Sequence, residues 1–385
     1  MARLVQRIWI VVFIGTLWLC MAGTWFGWGQ SSGVGERREL APRPKLDITF
    51  PEGLGLYLRD HFGFREWLVT LNSLIRVKGL HTSYSPNVAI GSQGFLFFTG
   101  EDALENYLGR KPMAEVEVNR WVELLERRSA WLAARGIPMV VTIAPNKETV
   151  YPEMMPGWAV RGKGPSRMDR LFEALRSRSK VAVVDLRPAL TGCKSQHRTY
   201  HKTDTHWSDW GGFCAYRELL LAIRKASPVK YQRLTASSGR GSEGSWALGG
   251  RVALSSSLVP LSDADLRMGH LNLNLDLNRM SGFSSLTEPV ETFAPPGALP
   301  VSTGPRDLLS TNAPLPDAPR LLLLRDSFGT TLVPFLSVHF SRVYAPNTWT
   351  LDPGVIVAEH PDVVLVEIVE RRLTAPAPVD SGLGN

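Results

Sequence analysis

Asp204 and His206 stand two residues apart in YHKTDTHWSDWGG, residues 200–212, a polar loop that opens onto an expected helix. On an extended segment residues i and i+2 point the same way, so the carboxylate at 204 is placed to orient the imidazole at 206. An imidazole oriented in this way is the usual general base. Such a base needs a hydroxyl to activate, and the best candidate lies more than a hundred residues downstream. In LLLLRDSFGTT, Ser327 sits where an apolar strand turns into a helix, the position at which α/β hydrolytic and acyl-transfer enzymes expose a nucleophilic serine. Two plainer readings compete: Ser327 as a helix N-cap, and the Asp204–His206 pair as an ordinary solvated loop. His197, His201, Asp204 and His206 also cluster as zinc ligands do. Their spacing is irregular and no expected helix aligns His197 with His201, so neither a metal nor another cofactor is expected.

These groups meet only if strands and helices carry them to one rim. Met113–Arg135 reads as an amphipathic helix with Val118, Val122, Leu125 and Leu132 on one face, stopped by Gly136 and Pro138. Met139–Ala144 is a continuous apolar strand followed by the turn Pro145-Asn146-Lys147, and Val181–Leu186 is another buried strand. Between them Ser166–Arg178 is a helix, and a further helix runs from about Trp210 to Lys225. Strands follow at Leu321–Leu324, Arg342–Ala345 and Val363–Val369, with Pro334 shortening the helix after the serine. Apolar strands alternating with helices imply an α/β fold, a three-layer arrangement with a parallel sheet covered on both faces.

Upstream, residues 50–80 read as mostly helical, with Asp60, His61 and Arg65 as a charged, capped helix start, and Asn87–Thr99 reads as a hairpin. Residues 227–318 lose period and read as an insertion of short strands or loops. The expected organisation is a signal anchor at 1–29, a linker at 30–46, one domain contributed by 47–226 and 319–373 around that insertion, and a frayed tail at 374–385.

At 385 residues, 44% apolar and 21% charged, the chain has the composition of a globular protein. Residues 1–46 hold six Lys/Arg and two Glu and so account for +4 of the net +7, which leaves no case for nucleic-acid binding. Ile8–Trp28 is a run of 21 uncharged, mostly apolar residues, enough to cross a bilayer as a helix. Arg3 and Arg7 precede it, so the N-terminus belongs in the cytoplasm and the bulk outside. The alternative is a cleaved signal peptide, but no small-x-small cleavage site follows the apolar core. Of three cysteines, Cys193 and Cys214 bracket the Asp204–His206 loop. In an oxidising compartment they can pair and stabilise the fold by about 3 kcal/mol; equally, Cys214 can be a small buried residue of its helix.

YHKTDTHWSDWGGFCAY, GSQGFLFFTGED, RDHFGFREWL, APNKETVYPEMMP, RDSFGTTLVPFLSVHF and PDVVLVEIVERRL together resemble the signatures of the alginate O-acetyltransferase AlgJ/AlgX family, over roughly residues 47–225 and 319–373. The resemblance implies an SGNH-hydrolase-like fold, with Asp204 and His206 as the Asp-x-His pair and Ser327 as nucleophile. Such enzymes place the serine after the first strand and the Asp/His pair near the C-terminus; the reversed order here implies circular permutation. Where the family commonly offers an asparagine to the oxyanion, this chain has Glu370-Arg371-Arg372. The backbone N–H groups of Ser327 and Phe328 are therefore the oxyanion candidates.

Asn146 and Lys147 end a strand on the ligand-collecting side of the sheet; they, with Arg371, are candidate substrate contacts. Tyr200 and Trp207 either stack on sugar rings or pack the loop. The implied activity is acetyl transfer to an exported polysaccharide by a single-pass inner-membrane protein with a periplasmic catalytic domain. The acetyl donor would be passed across the membrane by a multi-spanning acyltransferase. An acetyl-esterase with the same triad and a non-catalytic polysaccharide-binding scaffold are the alternatives.

Overall fold

The computed structural model describes residues 2–26, 28, 41–64, 67–68, 71–72, 75–79, 82–83, 85–161, 164–227, 267–273, 288–295, 301–302, 307–311, 317–380 and 382–383. Most of the expected linker and insertion, together with Arg65, falls outside them. The chain divides into two compact units, Met1–Ile90 with Leu273–Glu288, and Gly91–Asn272 with Pro289–Asn385.

The first unit holds helix α1 (Ala2–Phe26) and helix α2 (Phe50–His61). In α1, Leu4–Thr24 is long and apolar enough, by length and composition, to cross a bilayer. Asp60 and His61 lie in the last turn of α2 and so do not start a helix. The chain then folds back on the end of α1, where the Gly63 N–H donates to Thr24 Oγ1 (2.8 Å) and the Phe64 N–H to the Trp28 carbonyl (3.0 Å).

The second unit is built on a seven-stranded sheet. Its strands are β1 (Met139–Ala144), β2 (Ala182–Asp185), β3 (Val301–Ser302), β4 (Leu308–Thr311), β5 (Arg320–Leu324), β6 (Arg342–Ala345) and β7 (Val363–Val369), in the spatial order β2-β1-β7-β5-β6-β4-β3. The five strands from β2 to β6 are mutually parallel, and β4 and β3 are antiparallel additions at one edge. Numbered from the serine strand, β5, β6, β7, β1 and β2 become strands 1 to 5, and the spatial order becomes 2-1-3-4-5, that of flavodoxin-like doubly wound sheets. The fold is thus an SGNH-like α/β sheet in circularly permuted chain order. Two of its edge strands come from the stretch that reads in sequence as an insertion.

Helices cover both faces. α3 (Glu115–Ala133) and α4 (Arg167–Arg178) bury Val118, Trp121, Leu125, Met168, Leu171 and Phe172 against Val141, Ile143, Val364, Val366, Leu322 and Leu324. Successive strand residues face opposite ways, so Leu323 and Leu365 belong to the other face, which is covered by α5 (Asp209–Ala226) and α6 (Leu332–Leu336). There Phe213 and Tyr216 pack on Phe335 at 5.6 and 5.5 Å. Local sequence sets the ends of these helices. At α4, Ser166 Oγ accepts from the Asp169 N–H while the Ser166 N–H donates to the Asp169 carboxylate, a reciprocal capping box. Ser208 Oγ accepts from the Gly211 N–H at the start of α5.

The C-terminal residues are packed, in contrast to the expected frayed tail. Asp380 makes a two-pronged ion pair with Arg128 of α3 (2.7 and 2.6 Å), both side chains fully buried. It also accepts from the Leu351 N–H at 3.0 Å, and Leu383 joins the core. A run of small residues and prolines has no apolar period to reveal such an attachment.

Candidate active site

The loop bearing Asp204 and His206 is fixed from four sides. Tyr200 and Trp207 form an isolated antiparallel bridge, and the His201 N–H donates to the His206 carbonyl. A disulfide joins Cys193, at the end of the helix Arg187–Cys193, to Cys214 in α5. The buried ammonium of Lys147 donates to the carbonyls of His201, Lys202 and Asp204 at 2.5–3.0 Å. The Trp207 indole N–H donates to the Phe328 carbonyl at 3.0 Å, which ties this loop to the turn after β5.

Across that tie lies a continuous polar relay. Ser327 Oγ is 2.7 Å from His206 Nε2, and His206 Nδ1 is 2.6 Å from Asp204 Oδ1. The same carboxylate oxygen accepts from the His206 backbone N–H at 2.9 Å. Burial by itself would raise the Asp204 pKa. The hydrogen bond and charge of His206 outweigh it and hold this carboxyl well below the usual carboxylate range. The Phe328 ring lies 4.8 Å from the imidazole and walls one side of it. Ser327 opens into a cavity of about 710 Å³ that is also lined by Arg325, Asp326, Asn347, Trp349 and Arg372. β5 lies between β6 and β7, so the serine stands at the topological switch point, where doubly wound sheets collect ligands.

The turn itself is held by two buried carboxyls that sequence reading passes over. Asp326 accepts from the Phe328 N–H (2.9 Å) and from the Val369 N–H of β7 (2.8 Å). Glu367, in the middle of β7, accepts from the N–H groups of Asp326 (3.2 Å) and Gly329 (3.0 Å). Burial raises the pKa of both, Glu367 well above the carboxylate range, and the charge of Asp326 adds to the rise at Glu367. The one signal for Glu367 in the sequence is an acidic residue inside an otherwise apolar strand, VVLVEIV.

Several expected contacts are corrected. The Phe328 N–H is bound to Asp326 and so is closed to an oxyanion, and the element it begins, Phe328–Thr331, is a four-residue 3-10 turn. The Ser327 N–H has no acceptor among the described residues. Tyr200 and Trp207 are 0% and 1% exposed, so they pack the loop and offer no face to a sugar. Lys147 is buried as the loop's anchor. Asn146 is buried too, its N–H on Glu370 at 2.9 Å and its side-chain amide nitrogen sealed from solvent. Glu370 has no part in oxyanion binding: it gathers Asn146, Thr149 (2.7 Å) and Asn106 (3.3 Å) into a buried knot. Arg371 lies over the rings of Phe328 and Phe98 at 5.5 and 5.6 Å and bonds Glu101, which makes it a buttress; its neighbour Arg372 is the one that lines the cavity. His197 is drawn away from His206 to Glu291, at 3.0 Å.

Residues 88–247 match the family model described as "SGNH hydrolase-like domain, acetyltransferase AlgX". That span includes Asp204 and His206 and stops short of Ser327. The chain is 23% identical over 231 residues to "Probable alginate O-acetylase AlgJ" of Pseudomonas syringae pv. tomato, covering 60% of this chain and 55% of the relative. It is 28% identical over 143 residues to the protein of the same name from Pseudomonas aeruginosa, covering 36% and 34%. It therefore spans about half and about a third of the lengths of these two relatives. Among solved structures, Bacillus cereus PatB1 with a sulfonyl adduct superposes with a TM-score of 0.50 at 14% identity, over 74% of this chain and 97% of that one, a likeness of fold.

Proposed function

We propose that this chain, which belongs to the AlgJ/AlgX family of SGNH-hydrolase-like proteins, is a membrane-anchored extracytoplasmic O-acetyltransferase acting on an exported polysaccharide. The observation that carries the reading is the unbroken line from Ser327 Oγ through His206 to Asp204, opening on the cavity. Ser327 Oγ attacks the acetyl carbonyl carbon while His206 Nε2 takes its proton. Asp204 orients the ring and stabilises the imidazolium. The tetrahedral intermediate then expels the donor's alcohol, which leaves with the proton from His206. A sugar hydroxyl enters next, is deprotonated by the same nitrogen, and carries the acetyl group away from the serine. α1 would hold the domain at the inner membrane on the periplasmic side. A multi-spanning acyltransferase would supply the acetyl donor, since acetyl-CoA is cytoplasmic.

The test uses the purified chain and an activated acetyl ester. Wild type releases the leaving group in a burst of one equivalent. Ser327→Ala and His206→Ala lose the burst, with turnover reduced at least about 10³-fold. Equal rates in wild type and Ser327→Ala remove the reading. Oligosaccharide acceptors added to the acylated protein, followed by mass analysis of the products, separate acetyl transfer from hydrolysis.

A further inference from the structure

An acyl-serine mechanism needs donors for the carbonyl oxygen as it becomes an oxyanion, and the turn after β5 offers few. The Phe328 N–H is held by Asp326 and the Gly329 N–H by Glu367, while the Thr330 N–H is turned onto the Ser327 carbonyl at 3.3 Å. Only the N–H of Ser327 remains. The neighbouring strands decide where a second donor comes from. At the end of β7 the Val369 N–H is held by Asp326, and Glu370 is an acceptor facing into its own knot. The amide nitrogen of Asn146 and the indole nitrogen of Trp349 lack partners, but both are shut off from solvent and so do not face the open cavity.

The end of β6 is different. Val343 and Tyr344 pair with Leu321 and Leu322 of β5, and the Arg325 guanidinium donates to the Ala345 carbonyl at 3.2 Å, so the chain leaving β6 towards Asn347 runs beside the turn that carries the nucleophile. The Asn347 backbone is fixed by its N–H on Asp307 Oδ1 at 3.1 Å, and Asp307 is itself bonded to the Tyr344 hydroxyl. Its half-buried side chain has no partner among the described residues and lines the same cavity as Ser327. Of the other polar side chains that line it, Arg325 bonds the Ala345 and Asp326 carbonyls and Thr330, Thr348 Oγ1 accepts from the Thr350 N–H, and Arg372 pairs with Glu101 at 3.6 Å.

We propose that the side-chain amide of Asn347 is the second oxyanion donor, acting with the N–H of Ser327. This rests on the acyl-serine reading above. As the bond from Ser327 Oγ to the carbonyl carbon forms and its proton moves to His206, the carbonyl π pair moves onto oxygen. There the Asn347 amide and the Ser327 N–H hold the charge until the pair returns and the leaving alcohol departs. A preorganised donor of this kind supports acylation and deacylation alike and has little effect on ground-state binding.

The test is pre-steady-state acylation of the full chain by p-nitrophenyl acetate and by the matching thionoester, whose sulfur is a weak hydrogen-bond acceptor. Asn347→Ala should acylate about 100-fold more slowly, with KM near wild type and with His206 modified by diethyl pyrocarbonate at the wild-type rate. The preference of wild type for the oxygen ester over the thionoester should largely disappear. Asn347→Asp, which keeps the shape and lacks the N–H, should not restore the rate. Acylation of Asn347→Ala at the wild-type rate, or an equal loss towards both esters, overturns the assignment, as does the same pattern appearing in Thr348→Val instead. A burst that survives in Ser327→Ala is a separate outcome and removes the acyl-serine reading itself.

Discussion

Burial pushes up the pKa of each buried carboxyl near the site, and a charged partner decides whether that push prevails. Asp204 is held below its unfolded value by His206. Its contribution to stability is therefore full above about pH 3.9 and fades as pH falls through the lower folded value. Glu148, just after β1, is wholly buried; desolvation leads and the nearby charge of Glu370 adds to it, raising its pKa to about 7. Here the sign reverses. The folded state binds the extra proton, so stability falls as pH rises from about 4.5 to 7, by on the order of 3 kcal/mol. Glu148→Gln should flatten that limb of the melting-temperature profile and leave the acid limb in place. A wild-type melting temperature that climbs between pH 5 and 7, with no difference in the variant, would show that Glu148 is charged in the fold.

At the scale of elements, two buried ions position the site without touching substrate. The Lys147 ammonium gathers three carbonyls of the Asp204 loop. Replacing it by Met leaves those acceptors unsatisfied at roughly 1–3 kcal/mol each. The expected outcome is a lower melting temperature and a reduced kcat, with reactivity recovering in no buffer of different pH. Asp380 binds Arg128 of α3 and the N–H of Leu351, the residue that follows the cavity-lining stretch 347–350. Asp380→Ala strands a fully buried guanidinium, so urea denaturation should show a loss of about 3–5 kcal/mol. Truncation after residue 374 should cost at least as much. A free tail would make both changes neutral.

At the scale of the whole molecule, the apolar helix α1 and the sheet that carries the serine belong to different units of the chain. The relay, the cavity and the turn-binding carboxyls all lie within the second unit. Removing residues 1–29 should release the protein from the membrane fraction while the acetyl-ester burst persists, as sedimentation and stopped-flow measurement of the soluble chain would show. If the chain expressed with residues 1–29 were found in the soluble fraction with its N-terminus beyond the apolar run, α1 would be a cleaved signal sequence.

Local chemistry was readable in the primary chain wherever a short pattern carried it. Apolar runs marked β1, β5 and β7, helical period marked α3 and α4, and the i, i+2 spacing set Asp204 beside His206. A turn serine after an apolar strand singled out Ser327. Burial and partner choice were not readable there, because they depend on what the fold brings from far away in sequence. Asn146, Lys147, Tyr200 and Trp207 have the residue types of a binding surface, yet folding places each inside. Phe328 loses its open N–H to the carboxylate of Asp326, two residues earlier, and Asn347 is carried to the serine's cavity only because β6 lies parallel beside β5. Spacing along a chain determines which neighbours share a face; which faces meet, and which polar groups stay open to a substrate, is decided by the packing of the sheet.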